Sequence, residues 1–200
     1  MSALAELAAE VASCTLCRLA ETRTHACFAR GDPGAGLLFI GEGPGAEEDR
    51  QGLPFVGRSG QLLDKLIVEE LGLDRSQVQV TNVVRCRPPG NRDPQEDEIA
   101  ACRPYLERQL DLVRPAVVVT LGNFAARFML DTKEGVTRLR GRSYPCRGAV
   151  LVPTYHPSFV LRNGGGDQLV QMRADLARAK QALVAAGRYP AGTTPGTGRP

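Results

Sequence analysis

The sequence predicts an α/β protein, a three-layer α/β/α sandwich around a central four-stranded parallel sheet. Three observations predict it. Short runs of consecutive apolar or β-branched residues recur along the chain, and such runs read as strands buried on both faces. Between them lie stretches with apolar residues at three- and four-residue spacing, as crossover helices require. The 200 residues, 42% hydrophobic, suffice to bury the core of one domain. That domain is expected over residues 1–188, with 189–200, rich in proline, glycine and threonine, as a disordered tail.

Taken in order, Leu4, Leu7, Ala8 and Val11 share one face of a first helix. Glu6 and Glu10 stand where a lipoprotein-type leader needs basic residues and an unbroken apolar core, so no such leader is expected despite Val11-Ala12-Ser13-Cys14. A glycine-rich link from Gly31 to Gly36 leads into the apolar run Leu37-Leu38-Phe39-Ile40, a first strand. It delivers a tight loop, Gly41-Glu42-Gly43-Pro44-Gly45, followed at once by Glu47, Glu48 and Asp49. Residues 52–60 continue as loop. Leu62, Leu63, Leu66, Ile67 and Leu71 mark a helix ending near Gly72. Residues 78–84 form a second strand and run into a basic loop, Arg85 to Arg92. A helix is expected to start there, with Asp93 as cap, Pro94 at the first position and Glu96 closing a capping box. Pro104 predicts a break or kink just after Cys102. Residues 116–122 make a third strand and 124–130 a short helix, while 131–148 read as an irregular connection or hairpin. Residues 150–155 make a fourth strand, ending on His156-Pro157-Ser158. Leu169, Met172, Leu176, Ala179 and Leu183 mark the last helix.

Charge narrows function only a little. A net +3 permits nucleic-acid binding without arguing for it, and 22 of the 25 basic residues are arginine. No apolar run approaches the ~18 residues of a membrane span. The expectation is a soluble, cytoplasmic protein with no membrane partner, whose six cysteines are reduced.

The placement of the polar residues is more informative. Three strands end in polar constellations: Glu42 to Asp49, Asn82 to Arg92, and His156 to Ser158. In a parallel sheet these ends share one edge, where α/β folds bind ligands, so the loops should converge. Asn82 offers a donor and an acceptor side by side, which suits the imide edge of a pyrimidine as well as a turn. Phe55 reads either as core or as a stacking platform for a flat ligand. Glu42 and Glu48 read either as acids favoured by a helix start or as carboxylates that orient water. Arg85, Arg87 and Arg92 form either a solvated loop or a phosphate clamp. Cys14 and Cys17, spaced to grip one centre, find their best partners in Cys86 and Cys102. Four thiolates hold either a structural zinc or an iron–sulfur cluster, and spacing does not choose. Cys27 and Cys146 are left as small buried hydrophobes.

Together these motifs resemble the family 4, iron–sulfur uracil-DNA glycosylases. The resemblance rests on Gly41 to Gly45 with Glu48-Asp49, Gly52 to Gly57, Gly60 to Leu63, Thr81 to Pro89 with Asn91-Arg92, Cys102-Arg103-Pro104 and His156-Pro157-Ser158. It covers about residues 4 to 186. It implies a uracil-DNA glycosylase-like fold and a [4Fe–4S] cluster on Cys14, Cys17, Cys86 and Cys102. It implies a uracil pocket of Glu42, Gly43, Phe55, Asn82 and His156, with the base stacked on Phe55, read by Asn82 and bonded at O2 by His156. The implied reaction is monofunctional hydrolysis of the N-glycosidic bond, which leaves an abasic site and free uracil, the first step of base-excision repair. The implied partner is uracil-containing DNA, single- or double-stranded, bound by a monomer.

The better-known members of the superfamily place an aspartate where this loop has Gly43, so the water-positioning role must move. The expectation is Glu48 with Asn91, with Glu42 shaping the pocket or assisting, which makes Glu42, Glu48, Asn91 and His156 the catalytic set. DNA contacts are expected from Arg87, Arg92, Ser158, Phe159, Leu161 and Arg162, with Phe159 or Leu161 as the wedge that replaces a flipped base. Phe159 departs from the family's smaller residue. A related group traps uracil-DNA through a histidine on a basic insertion. Asn91-Arg92-Asp93 carries neither, which favours turnover. The alternatives are a metal-stabilised damaged-DNA-binding protein without catalysis, or a relative with shifted deaminated-base specificity.

Overall fold

The computed structural model describes residues 2–190. In chain order the elements are α1 (Ala3–Ala12), α2 (Leu19–Thr22), β1 (Arg30–Gly31), β2 (Leu37–Gly41), α3 (Ala46–Gln51) and α4 (Arg58–Leu66). A π-helical turn, Ile67–Leu71, extends α4 to Gly72. Then come β3 (Gln79–Asn82), α5 (Glu96–Val113), β4 (Val117–Leu121), α6 (Asn123–Leu130), α7 (Val136–Leu139), β5 (Tyr144–Cys146), β6 (Ala149–Thr154), α8 (Pro157–Arg162) and α9 (Gly166–Ala185).

The strands form one sheet in the order β1-β3-β2-β4-β6-β5. It has six strands where the sequence suggested four. β2 pairs in parallel with β3 and β4, and β4 with β6, while β1 and β5 add antiparallel edges. Those edges are two and three residues long, too short to leave a pattern in the sequence.

Alternation along the strands sorts the core into two clusters. Leu37, Phe39, Val117, Val119 and Val152 pack with α4, α8 and α9 through Leu63, Leu66, Val160, Met172, Leu176 and Leu183. Leu38, Ile40, Val118 and Leu151 pack with α5 and α6 through Leu106, Leu110 and Ala125. Helices therefore cover both faces, as fully buried parallel strands demand.

Two expectations about α5 are corrected. Its cap is Gln95, whose N–H donates to Glu98 Oε2 at 2.8 Å, two residues beyond the expected start. The helix also runs through Pro104 without ending. Proline there cannot donate to the Ala100 carbonyl, but Ala100 lies on the exposed face, where solvent can stand in for that bond. Packing of Cys102, Leu106 and Leu110 on the opposite face outweighs the loss. The connection from 131 to 148 contains α7 and the β5–β6 hairpin. Tyr189, assigned to the tail, donates from its hydroxyl to Leu71 O. The rest of the expected tail, 191–200, lies outside the described residues. Among the described residues no helix is long and apolar enough to cross a membrane.

Candidate active site

The loops at the carboxyl ends of the parallel strands meet around a cleft of about 670 Å³. Its walls come from Glu42 to Glu48 after β2, Pro88 to Pro94 after β3, Gly122 to Phe124 after β4, and Tyr155 to Arg162 after β6. Phe55 and Gly57 to Ser59 close the remaining side. Parallel pairing is the cause: in-register strands end together, so their loops share one rim.

At the base of this rim Gly41 sits beside Asn82 in the β2–β3 register. A Cβ on Gly41 would fall 2.5 Å from both Asn82 Oδ1 and Phe55 Cζ. The glycine is therefore what lets the carboxamide and the aromatic ring meet. Asn82 is 1% exposed, yet neither Nδ2 nor Oδ1 has a hydrogen-bond partner among the described residues. A buried amide left unpaired costs stability, so this one calls for a partner from outside the chain, a ligand or an ordered water. The Phe55 ring is 4% exposed and stands 5.8 Å from the His156 ring, tilted by 35°.

His156 begins α8 as its cap. Its Nδ1 accepts from the Ser158 N–H at 3.1 Å and pairs with Ser158 Oγ at 2.8 Å, while Arg162 Nη1 donates to that same Oγ at 3.2 Å. Because Nδ1 is an acceptor, a neutral ring carries its proton on Nε2. Burial, helped by the Arg162 charge, pushes the imidazole down to about 4, so the ring is neutral at ordinary pH. Behind it, buried Asp175 on α9 accepts from Thr154 Oγ1 at 2.8 Å and from Arg140 Nε at 2.9 Å. Arg140 in turn lies over the Tyr155 ring. This network fixes the end of β6, and nothing in the spacing of its members announces it.

The two glutamates differ sharply. Both Glu48 oxygens face backbone N–H groups: Oε1 accepts from Val56 at 2.9 Å and Gly57 at 2.8 Å, Oε2 from Gly45 at 3.2 Å. Glu48 is thus a staple joining the glycine-rich loop to the Phe55 loop. Glu42 lines the cleft instead, and burial together with the Asp93 charge raises its carboxyl to about 7 against the opposing pull of Arg162. Glu47 is exposed and paired with Arg50.

The expected DNA contacts divide in the same way. Phe159 and Leu161 on α8 are 37% and 39% exposed, and Phe159 lines the cleft. Ser158 and Arg162 line that cleft. Arg87 donates to Asn91 Oδ1 at 2.7 Å. Arg92 forks onto buried Glu98 at 2.6 and 2.9 Å, so its charge is largely engaged within the protein. Arg85 is no clamp: it is 1% exposed and donates to Phe28 O and Gln109 Oε1, both at 2.7 Å.

A second pocket is lined by Cys14, Cys17, Cys86 and Cys102 together with Arg23, Arg85 and Tyr105. The α1–α2 turn, the loop after β3 and α5 supply the four thiols. Arg23 Nη1 donates to Cys86 Sγ at 3.0 Å. Among the described residues, no three His, Cys, Asp or Glu side chains stand close enough to hold a single metal ion. Cys27 lies apart from this set, donates to Glu48 O, and is pushed up to about 12 by burial, which makes it an inert core thiol.

Comparison with known proteins gives the chain's relatives. A family model described as the uracil DNA glycosylase superfamily matches residues 28–183. A type-4 uracil-DNA glycosylase of Sulfurisphaera tokodaii is 41% identical over 197 residues, covering 94% of this chain and 89% of its own. The type-4 protein of Saccharolobus solfataricus is 41% identical, covering 88% and 85%. That of Thermotoga maritima is 40% identical, covering 92% and 97%.

Proposed function

The chain belongs to the uracil-DNA glycosylase superfamily, and on that premise we propose that it is a monofunctional uracil-DNA glycosylase of base-excision repair. The observation that carries this reading is Asn82, a buried carboxamide with both polar atoms unpaired, set against an aromatic ring at the carboxyl edge of the sheet. A flipped uracil satisfies it: O4 accepts from Nδ2 and N3–H donates to Oδ1, while Phe55 stacks on the ring.

The remaining residues take complementary roles. The bond between C1′ and N1 breaks with its electron pair passing to uracil, and Nε2–H of neutral His156 donates to the developing charge on O2. The sugar becomes oxocarbenium-like, and water attacks C1′ to leave an abasic site and free uracil. We give the water to Glu42 rather than Glu48. Glu42 lines the cleft with a carboxyl poised near neutrality, while the oxygens of Glu48 already face three N–H groups. Asn91, paired with Arg87, assists from the facing rim. Ser158 and Arg162 meet the DNA backbone, Phe159 or Leu161 fills the vacated stack, and Arg92 acts by bracing its loop through Glu98. The four strands paired in parallel make up the central sheet, with the two short edges as accessories.

The cysteine pocket fits a [4Fe–4S] cluster. A single ion gathers its thiolates onto one point, whereas a four-iron cluster gives each thiolate its own iron and holds them wider apart. Cys14, Cys17, Cys86 and Cys102 line one pocket, Arg23 and Arg85 supply positive charge beside them, and the resemblance to the type-4 proteins, not the pocket's shape, favours the cluster over a single ion. A bound cluster supplies a covalent tie among three separate segments of the chain.

The test is incubation with an oligonucleotide carrying one deoxyuridine, followed by alkali. The expected result is strand breakage at that site only and free uracil in solution. Tight binding of the oligonucleotide with no alkali-labile site would overturn the reading in favour of a damage-binding protein.

A further inference from the structure

Phe55 lies in the left-handed backbone region, with φ of 56°, which residues bearing a Cβ avoid. A platform placed there has to be held. Its carbonyl is fixed from two sides. Gly60, in the first turn of α4, comes so close that a Cβ on it would fall 1.9 Å from the Phe55 oxygen. From the other side Arg30 Nη1 donates to that oxygen at 3.1 Å. Arg30 is itself oriented, since its Nη2 meets Asp64 Oδ2 at 3.2 Å and the other oxygen of Asp64 meets Arg75 Nε at 2.8 Å. Two guanidiniums on one carboxylate leave positive charge behind the carbonyl. The two-residue strand β1 adds little to the sheet. Its pairing of Arg30 with Val80 does place the guanidinium beside the Phe55 loop.

We propose that Arg30 is a positioning residue for uracil excision: by holding the Phe55 carbonyl, with Asp64 and Arg75 orienting it, it fixes the ring on which the flipped base stacks. The proposal rests on the reading of Phe55 as the uracil platform. Arg30 touches neither substrate nor reacting atoms, so its effect passes through Phe55 alone.

The experiment labels the full chain with 4-fluorophenylalanine and assigns the Phe55 fluorine signal with Phe55→Leu. It then compares wild type, Arg30→Met and Arg30→Lys by fluorine NMR and by single-turnover excision. In folded Arg30→Met the Phe55 signal shifts or broadens while the other five phenylalanines hold their places, and Arg30→Lys restores part of the wild-type signal. Excision falls by roughly tens of fold, in line with the cost of a small misplacement in a reacting site. In the Phe55→Leu background, with the ring gone, the same change costs no more than about 2-fold, because the two residues act as one unit. An unmoved Phe55 signal, or an equal loss of excision in both backgrounds, overturns the proposal. Arg30→Lys carries the test alone if Arg30→Met does not fold. A wild-type protein that releases no uracil refutes the proposed activity by itself, and the fluorine signal still decides whether Arg30 holds Phe55.

Discussion

A water-orienting carboxylate works only when ionised, so the proposed assignment of the water to Glu42 predicts an acid limb at the position of that carboxyl, about 7. At pH 5.5 about 3% of Glu42 is ionised and at pH 8.5 about 97%, so excision under kcat/KM conditions should rise about 30-fold between them. His156, down at about 4, is neutral throughout that window and adds no limb of its own. The perturbation that tests the cause is charge removal nearby. Asp93 raises the Glu42 carboxyl and Arg162 lowers it. Asp93→Asn should therefore move the limb to lower pH, and Arg162→Gln to higher pH. The assay is excision of uracil from a labelled oligonucleotide with enzyme in sub-saturating excess, at constant ionic strength, across pH 5 to 9. A flat profile, a limb near the ordinary carboxylate range, or both variants moving it the same way would refute the assignment to Glu42.

The same carboxyl affects stability with a definite sign. Its folded value lies above the unfolded one, so stability falls as pH rises from about 4.5 to about 7. Glu42→Gln, inactive, should be more stable than wild type by about 1–2 kcal/mol at pH 8, allowing for solvent screening, and equal to it at pH 4.5. Thermal melts at both values check this, and a pH-independent difference would contradict it. Asn82→Ala should cut excision by roughly 10²–10³-fold while leaving Tm within about 2 °C, because the amide has no hydrogen bond to lose. A large drop in Tm with excision retained would make Asn82 a core residue. Glu48→Ala should cost about 1–3 kcal/mol by leaving three half-buried N–H groups without their carboxylate, with Glu48→Gln recovering part of that in denaturant titrations. Purified protein should carry iron and acid-labile sulfide, and Cys102→Ser should lose both together with several degrees of Tm.

The legible parts of the fold were those where one physical effect dominates. Leu37 to Ile40 is apolar on both faces and reads as a buried strand at sight. The convergence of its loop with those at Asn82 and His156 follows once the strands are parallel. Illegible parts depended on a competition that local pattern does not record. Pro104 signals a break, and only the burial of Cys102, Leu106 and Leu110 against exposed Ala100 shows which effect wins. Helix α8 hides behind His-Pro-Ser, a sequence that looks like a turn. Arg85 reads as a loop cation until Phe28 O and Gln109 close over it. Charged side chains are hardest to assign, because a carboxylate or guanidinium looks the same in sequence whether it faces water, a ligand or the backbone.

Gly43 shows how the glutamates came to their separate tasks. A Cβ there would stand 2.7 Å from Val84 Cγ2, and Val84 is fully buried in the core beneath α5. Its N–H also donates to Glu42 O at 3.0 Å, which ties the glycine-rich loop to the extension of β3. An acid at position 43 would have to push that buried methyl aside, so the loop as folded here disfavours a carboxylate at this position. One residue earlier, Glu42 reaches the cleft while its backbone stays docked. A loop with glycine at three of five positions has little stiffness of its own, and Glu48 supplies it by gripping Gly45 at one end and Val56 and Gly57 at the other. On the proposed assignment, the acid that looks more catalytic by its place in a motif holds the loop, and the water falls to the acid that lines the cleft one residue before Gly43.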